Sequence, residues 1–138
     1  MTAYLALFGW SFLAATILPL ASEPMLTALV RLRGEFVFPV LVATAGNYLG
    51  ACTTYLIARV AARRLKPVAD ATASHRRAVA LVERFGQPAL LLSWVPIVGD
   101  AIVVVAGGVG MPFAAFSAWT VAGKLARYAA VAWIAARV

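Results

Sequence analysis

The sequence predicts an all-α integral membrane protein of two inverted repeats. Each repeat is a re-entrant helical hairpin followed by a transmembrane helix, and a basic amphipathic cytoplasmic segment joins them. Three observations lead to this class. Of 138 residues, 64% are hydrophobic and the mean hydropathy is +0.91, whereas a soluble domain is nearer 45–50% apolar. Two apolar runs are each interrupted by a Pro with an acid four residues later, Pro19 with Glu23 and Pro96 with Asp100. The two interruptions are 77 residues apart, and the same offset maps Phe8-Gly9 onto Phe85-Gly86, Leu13 onto Leu90 and Phe36 onto Phe113. It also maps Ala45-Gly46 onto Ala122-Gly123 and Ile57-Ala58 onto Ile134-Ala135. Matched interrupted segments in two halves of a membrane chain point to a transporter's binding site.

The chain reads as a single membrane domain over 1–138, with repeat 1 at about 1–61, a linker at 62–77 and repeat 2 at about 78–138. Its length allows no more than about four or five membrane segments of roughly 20 residues each. The apolar N-terminal run continues through Leu20 without a basic start, so it reads as retained rather than as a cleaved leader.

Residues 1–30 carry one charge, Glu23. A helix from about Thr2 to Leu18 would span a bilayer and leave Glu23 at the far surface. The repeat argues instead for a hairpin with legs of about 10–14 residues, which reach roughly the midplane at 1.5 Å per residue. Phe36 to Ala58 is free of formal charge and long enough to span. Within it, Gly46 and Gly50 form a G-x-x-x-G seam that lets a second helix approach, internally or in a homo-oligomer. Asn47 lies between them with an amide able to donate and accept.

The net charge is +7, from 12 Lys and Arg against 5 Asp and Glu. A nucleic-acid partner is one meaning of such a balance. Here the cations cluster at Arg59, Arg63, Arg64, Lys66, Arg76, Arg77 and Arg84, as positive-inside topology and anionic head groups require. Ala78, Leu81, Val82 and Phe85 recur at helical spacing opposite an Arg pair, so 73–85 reads as an amphipathic surface helix. His75 has no neighbouring His or Cys and Cys52 sits alone in an apolar run. Metal binding, a catalytic dyad and an internal disulfide are therefore unsupported, and no cofactor is expected.

Between Phe85 and Lys124 the only ionisable residue is Asp100. It follows Pro96 and Gly99, so 87–110 reads as a second hairpin with Asp100 near its tip. Irregular backbone at membrane depth survives only inside protein or beside a wet cavity. An acid placed there is a functional-site candidate. Phe113 to about Ala135 is the last span, and Lys124 and Arg127 lie on one face of it, three residues apart. Two acids and two bases at this depth are expected to meet in one nearly neutral cluster.

These residues carry a resemblance. The chain resembles the DedA family, the bacterial branch of the VTT-domain or "SNARE-associated" membrane proteins, and most closely its short members of the YqaA type. The matching residues are Ser22-Glu23-Pro24; Gly46-Asn47-x-x-Gly50 with Tyr55 and Arg59; Arg84-Phe85-Gly86; Pro96; Ala106-Gly107 leading to Met111; and Gly123. Where the broader family carries arginines flanking the second Pro, this chain has Ser93 and Gly99, and Ala58 stands where Gly is usual. Lys124 and Arg127 lie outside the broad pattern and are expected to supply that positive charge from another helix.

The resemblance implies two oppositely oriented re-entrant hairpins in a multi-pass protein of the bacterial cytoplasmic (inner) membrane. It also implies movement of phospholipids or polyprenyl-phosphate carriers between leaflets, often linked to the proton-motive force. On this reading Glu23 and Asp100 serve transport and proton coupling. Lys124, Arg127, Asn47, Arg59 and Arg84 bind the head group, and Pro19, Pro96 and Gly99 break the hairpins. A small-ion transporter and a non-catalytic membrane-organising protein are the competing readings. An enzyme is not expected, since no triad setting, phosphate loop or metal-spaced cluster is present.

Overall fold

A computed structural model describes residues 1–16, 21–65 and 72–138. Pro19, Lys66 and Asp70 lie outside the described residues. Every described element is helical: α1 (Thr2–Ala14), α2 (Glu23–Arg33), α3 (Val37–Arg64), α4 (Ala73–Phe85), a 3-10 leg (Gln87–Trp94), α5 (Val98–Gly108) and α6 (Phe113–Arg137).

Local chemistry sets the ends. Pro24 in the first turn pre-sets the backbone of α2. Gly34 closes that helix in the left-handed region, φ 64°, with its N–H donating to the Val30 carbonyl at 2.9 Å. Thr72 caps α4 by accepting from the His75 N–H at 3.2 Å, and Gly86, at φ 66°, ends it. The expected bounds of α4 are those observed, while α3 outruns its expected end at Ala58. Arg59 to Arg64 continue the helix, because Arg and Ala are strong helix formers and long cationic side chains reach outward from a helix end. At 28 residues α3 is about 42 Å long, and by length and composition it is able to cross a bilayer.

The 3-10 leg departs from the helix the sequence leads one to expect. At about 2.0 Å rise per residue, its 8 residues cover about 16 Å. The 11 residues of α5 cover nearly the same at 1.5 Å each. The leg is pressed between two backbones. A Cβ on Gly123 of α6 would lie 2.6 Å from the Leu91 carbonyl oxygen, and one on Gly99 of α5 would strike the Ser93 backbone.

The long helices α3 and α6 run antiparallel. Tyr55 on α3 stacks on Phe116 with ring centroids 4.3 Å apart, Tyr48 bonds Ser117 at 2.6 Å, and Asn47 meets Lys124. Partners later in α6 pair with residues earlier in α3. Each long helix receives one leg from each broken pair: α1 and α5 pack on α3, while the 3-10 leg and α2 pack on α6. The Gly46–Gly50 seam is filled by α1, since a Cβ at Gly46 would lie 2.5 Å from the Phe8 carbonyl oxygen. That face is therefore occupied within the chain and is not open to a second copy.

Two apolar clusters form. One gathers Tyr55, Leu90, Ile102, Ala106, Met111 and Phe116, with Ala78 of α4 beneath them. The other gathers Leu7, Leu26, Val30, Ala43, Tyr128 and Ala132. The buried Tyr55 hydroxyl donates to the Met111 carbonyl and accepts from Arg59 at 2.7 Å, tying the end of α3 to the turn into α6. At the opposite end Tyr4 donates to Glu35 and Arg33 lies over the Tyr4 ring, joining the start of α1 to the α2–α3 link.

Candidate functional site

A cavity of about 90 Å³ opens between the two interruptions. That volume admits a few waters, at about 30 Å³ each in the liquid. Glu23 enters it as the first residue of α2 and Asp100 as the third residue of α5. Both carboxylates sit in a helix's first turn, where the backbone dipole favours negative charge. Lys124 and Arg127 enter from α6, and Asn47, Ser93, Pro96, Ser22 and Tyr128 also line the wall. The four charged groups sum to a formal charge of zero.

Each cation is held. Arg127 forms an ion pair with Glu23 and donates a second bond to the Trp94 carbonyl, so it spans α2 and the 3-10 leg. Lys124 is 3% exposed and donates to Asn47 Oδ1. Asn47 in turn donates to the Ser11 carbonyl of α1 at 3.1 Å. Asn47 and Lys124 are themselves 77 residues apart, which is the repeat offset. Ser22 bonds the Tyr128 hydroxyl at 2.6 Å. Its hydroxyl is thereby drawn away from the α2 end, which it does not cap. Among the described residues the Asp100 carboxylate makes no hydrogen bond or ion pair. Lys124 acts on it only through space.

The backbone at the second interruption is tight. Ile97 has φ 67°, an unfavourable conformation for a β-branched residue, and the Val98 N–H bonds the Pro96 carbonyl at 2.7 Å across it. Gly99 is buried and lets α5 start against the Ser93 backbone.

The structure thus gathers Glu23, Asp100, Lys124, Arg127, Asn47 and Pro96 around one cavity. It does not bring in Arg59, which is engaged with Tyr55, or Arg84, which lies over the Phe85 ring at 5.3 Å. Sequence reasoning missed Ser22 and Tyr128 as a linked pair and Ser93 as a wall residue. A polar ring next to the mid-helix Arg127 was the available signal for Tyr128. Among the described residues no group of His, Cys, Asp and Glu is placed to hold a metal.

Large apolar side chains, including Leu41, Leu49, Leu56, Ile57 and Trp133, point outward from α3 and α6. Helices with an apolar exterior around a charged, buried cavity define an α-helical membrane protein. The chain belongs to the VTT-domain family, whose VTT domain matches residues 17–137, and it is of the DedA-family YqaA type. It is 36% identical over 129 residues to the inner membrane protein YqaA of Escherichia coli (strain K12), covering 92% of this chain and 87% of the relative. The inner membrane protein YqaA of Shigella flexneri gives the same figures. An uncharacterized protein of Haemophilus influenzae is 36% identical over 138 residues, covering 93% of this chain and 84% of the relative. No solved structure matches the chain.

Proposed function

We propose that this protein moves a phosphate-bearing lipid, a phospholipid or a polyprenyl phosphate, between membrane leaflets as a flippase or scramblase. The observation that carries the reading is the cavity where Glu23, Asp100, Lys124 and Arg127 meet between two interrupted helices. A phosphate crossing about 30 Å of hydrocarbon needs a polar way-station. Helix N-termini and cations provide one, and Arg suits phosphate through its planar fork.

The α1–α2 and 3-10–α5 pairs act as re-entrant hairpins, and α3 and α6 cross the membrane as multi-pass spans. The antiparallel course of α3 and α6, at equivalent places in the two halves, supports an inverted repeat. The Arg-rich end carrying α4 faces the cytoplasm of the inner membrane. Arg59 and Arg84 there meet incoming head groups at the surface. Protonation of Glu23 would free Arg127 for phosphate, and protonation of Asp100 would remove the counter-charge that faces Lys124 across the cavity, which provides a route to proton coupling.

Reconstitution of purified protein in liposomes with labelled phospholipids and polyprenyl phosphates tests the proposal. Protein-dependent leaflet exchange that Glu23→Gln and Asp100→Asn both diminish is the expected result. Ion flux without lipid exchange would replace the reading with a small-ion transporter. A Lys124→Met and Asp100→Leu double variant that keeps the cellular phenotype would favour a membrane-organising role, because apolar residues often substitute for buried charges that only pack.

A further inference from the structure

Each charged group in the cavity but one already has a close partner. Arg127 is engaged by Glu23 and the Trp94 carbonyl, and Lys124 by Asn47. Asp100 lines the cavity without a hydrogen bond or ion pair among the described residues. The group left without a close partner is therefore an anion, and its complement is a cation. Lys124 keeps donors beyond the one given to Asn47, so a phosphate alone could reach it, but it would leave Asp100 unmatched.

We infer that Asp100 receives the primary ammonium of an amine-bearing phospholipid head group. This rests on the lipid reading above and narrows it. A zwitterionic head group brings its own phosphate, which turns toward Lys124 on α6 and the N-terminal end of α5. Lys124 and Asp100 line the same cavity, so the two charges form a dipole, and the head group enters with its own dipole reversed. Adding a zwitterion keeps the site's formal charge at zero. A polyprenyl phosphate would make the site anionic.

The wall also selects among amines. A primary ammonium offers three N–H donors to a carboxylate. A quaternary ammonium offers none and is recognised instead by a cage of aromatic faces. Tyr128 is the one aromatic residue lining this cavity among the described residues, and its hydroxyl is tied to Ser22. The cavity therefore suits ethanolamine-type head groups over choline-type ones.

The test uses full-length protein in proteoliposomes and measures leaflet exchange of labelled phosphatidylethanolamine, phosphatidylcholine and phosphatidylglycerol. Charge-assisted hydrogen bonds to one carboxylate correspond to a preference on the order of tenfold for phosphatidylethanolamine. Asp100→Asn should bring that ratio near one, and Asp100→Glu should retain most of it. Robust exchange of all three lipids at equal wild-type rates overturns the role of Asp100 while leaving lipid transport standing. Exchange of none of them removes the lipid reading itself. Free ethanolamine in the buffer separates the two sources of ammonium. If it raises the protein's melting temperature through Asp100 while phosphatidylethanolamine exchange ignores Asp100→Asn, the site belongs to a soluble amine and the head-group assignment is wrong.

Discussion

The Glu23–Arg127 pair lends itself to a double-mutant cycle. Its side chains are 21% and 25% exposed, so about three-quarters of each is out of solvent. Removing one partner of a fully buried pair costs about 3–5 kcal/mol, because the other charge is left unmatched. Scaled to this exposure, the low end of that range puts Glu23→Leu at about 2 kcal/mol. Arg127→Met also loses the bond to the Trp94 carbonyl, which adds about 1 kcal/mol, for a loss of about 3. The double variant places two apolar side chains together and leaves no orphan charge, so its loss should be only about 2 kcal/mol. The coupling is then roughly 3 kcal/mol, at the upper end for groups in direct contact. Urea unfolding in detergent micelles, followed by circular dichroism, measures all three variants. A coupling below about 0.5 kcal/mol, with the single losses adding in the double variant, would mean that the two side chains do not sense one another.

Other outcomes follow from single positions. Gly123→Ala should destabilise the protein by about 2–3 kcal/mol, because its methyl would lie 2.6 Å from the Leu91 carbonyl oxygen. Gly9→Ala, with open space around it in α1, should be neutral or gain up to about 1 kcal/mol in the same unfolding assay. Ile97→Gly should raise stability by about 1 kcal/mol, by releasing a β-branched residue from φ 67°. Thr120→Val should also be stabilising, by about 1 kcal/mol, since the Thr120 hydroxyl is buried without a hydrogen-bond partner among the described residues and Val keeps its shape. A topology reporter fused after Val138 should read non-cytoplasmic, opposite to one placed in the 72–86 region.

The sequence conveyed the order of helices because Pro, Gly and charge interrupt apolar runs at places where helices must end. Helix α4 was legible to the residue, since Ala78, Leu81, Val82 and Phe85 recur at helical spacing opposite its Arg pair. The 3-10 geometry of 87–94 was not. It arises from two backbones, at Gly99 and Gly123, that close on the segment from outside its own sequence. The meeting of Glu23 with Arg127 was expected only as part of a charge cluster. Which acid takes which base depends on how α2 lies across α6. The link of Asn47 to Lys124 was hidden in plain view at the repeat offset, because equal spacing does not say that equivalent residues touch. Arg59 was named through the resemblance, and the helix turns it toward Tyr55 and the turn into α6 rather than into the cavity.

If the protein moves lipid as proposed, the two acids and two bases around the cavity have an energetic consequence. Moving one elementary charge through a membrane potential of 100 mV changes its energy by about 2.3 kcal/mol. A site with no net charge carries no net charge through the field when it is displaced, so such a displacement adds no zF term to the voltage sensitivity. Any dependence of the transport rate on potential must then come from the cargo or from co-transported protons. A zwitterion carried alone would cross at a rate indifferent to voltage, whereas a singly charged carrier phosphate would be driven by it.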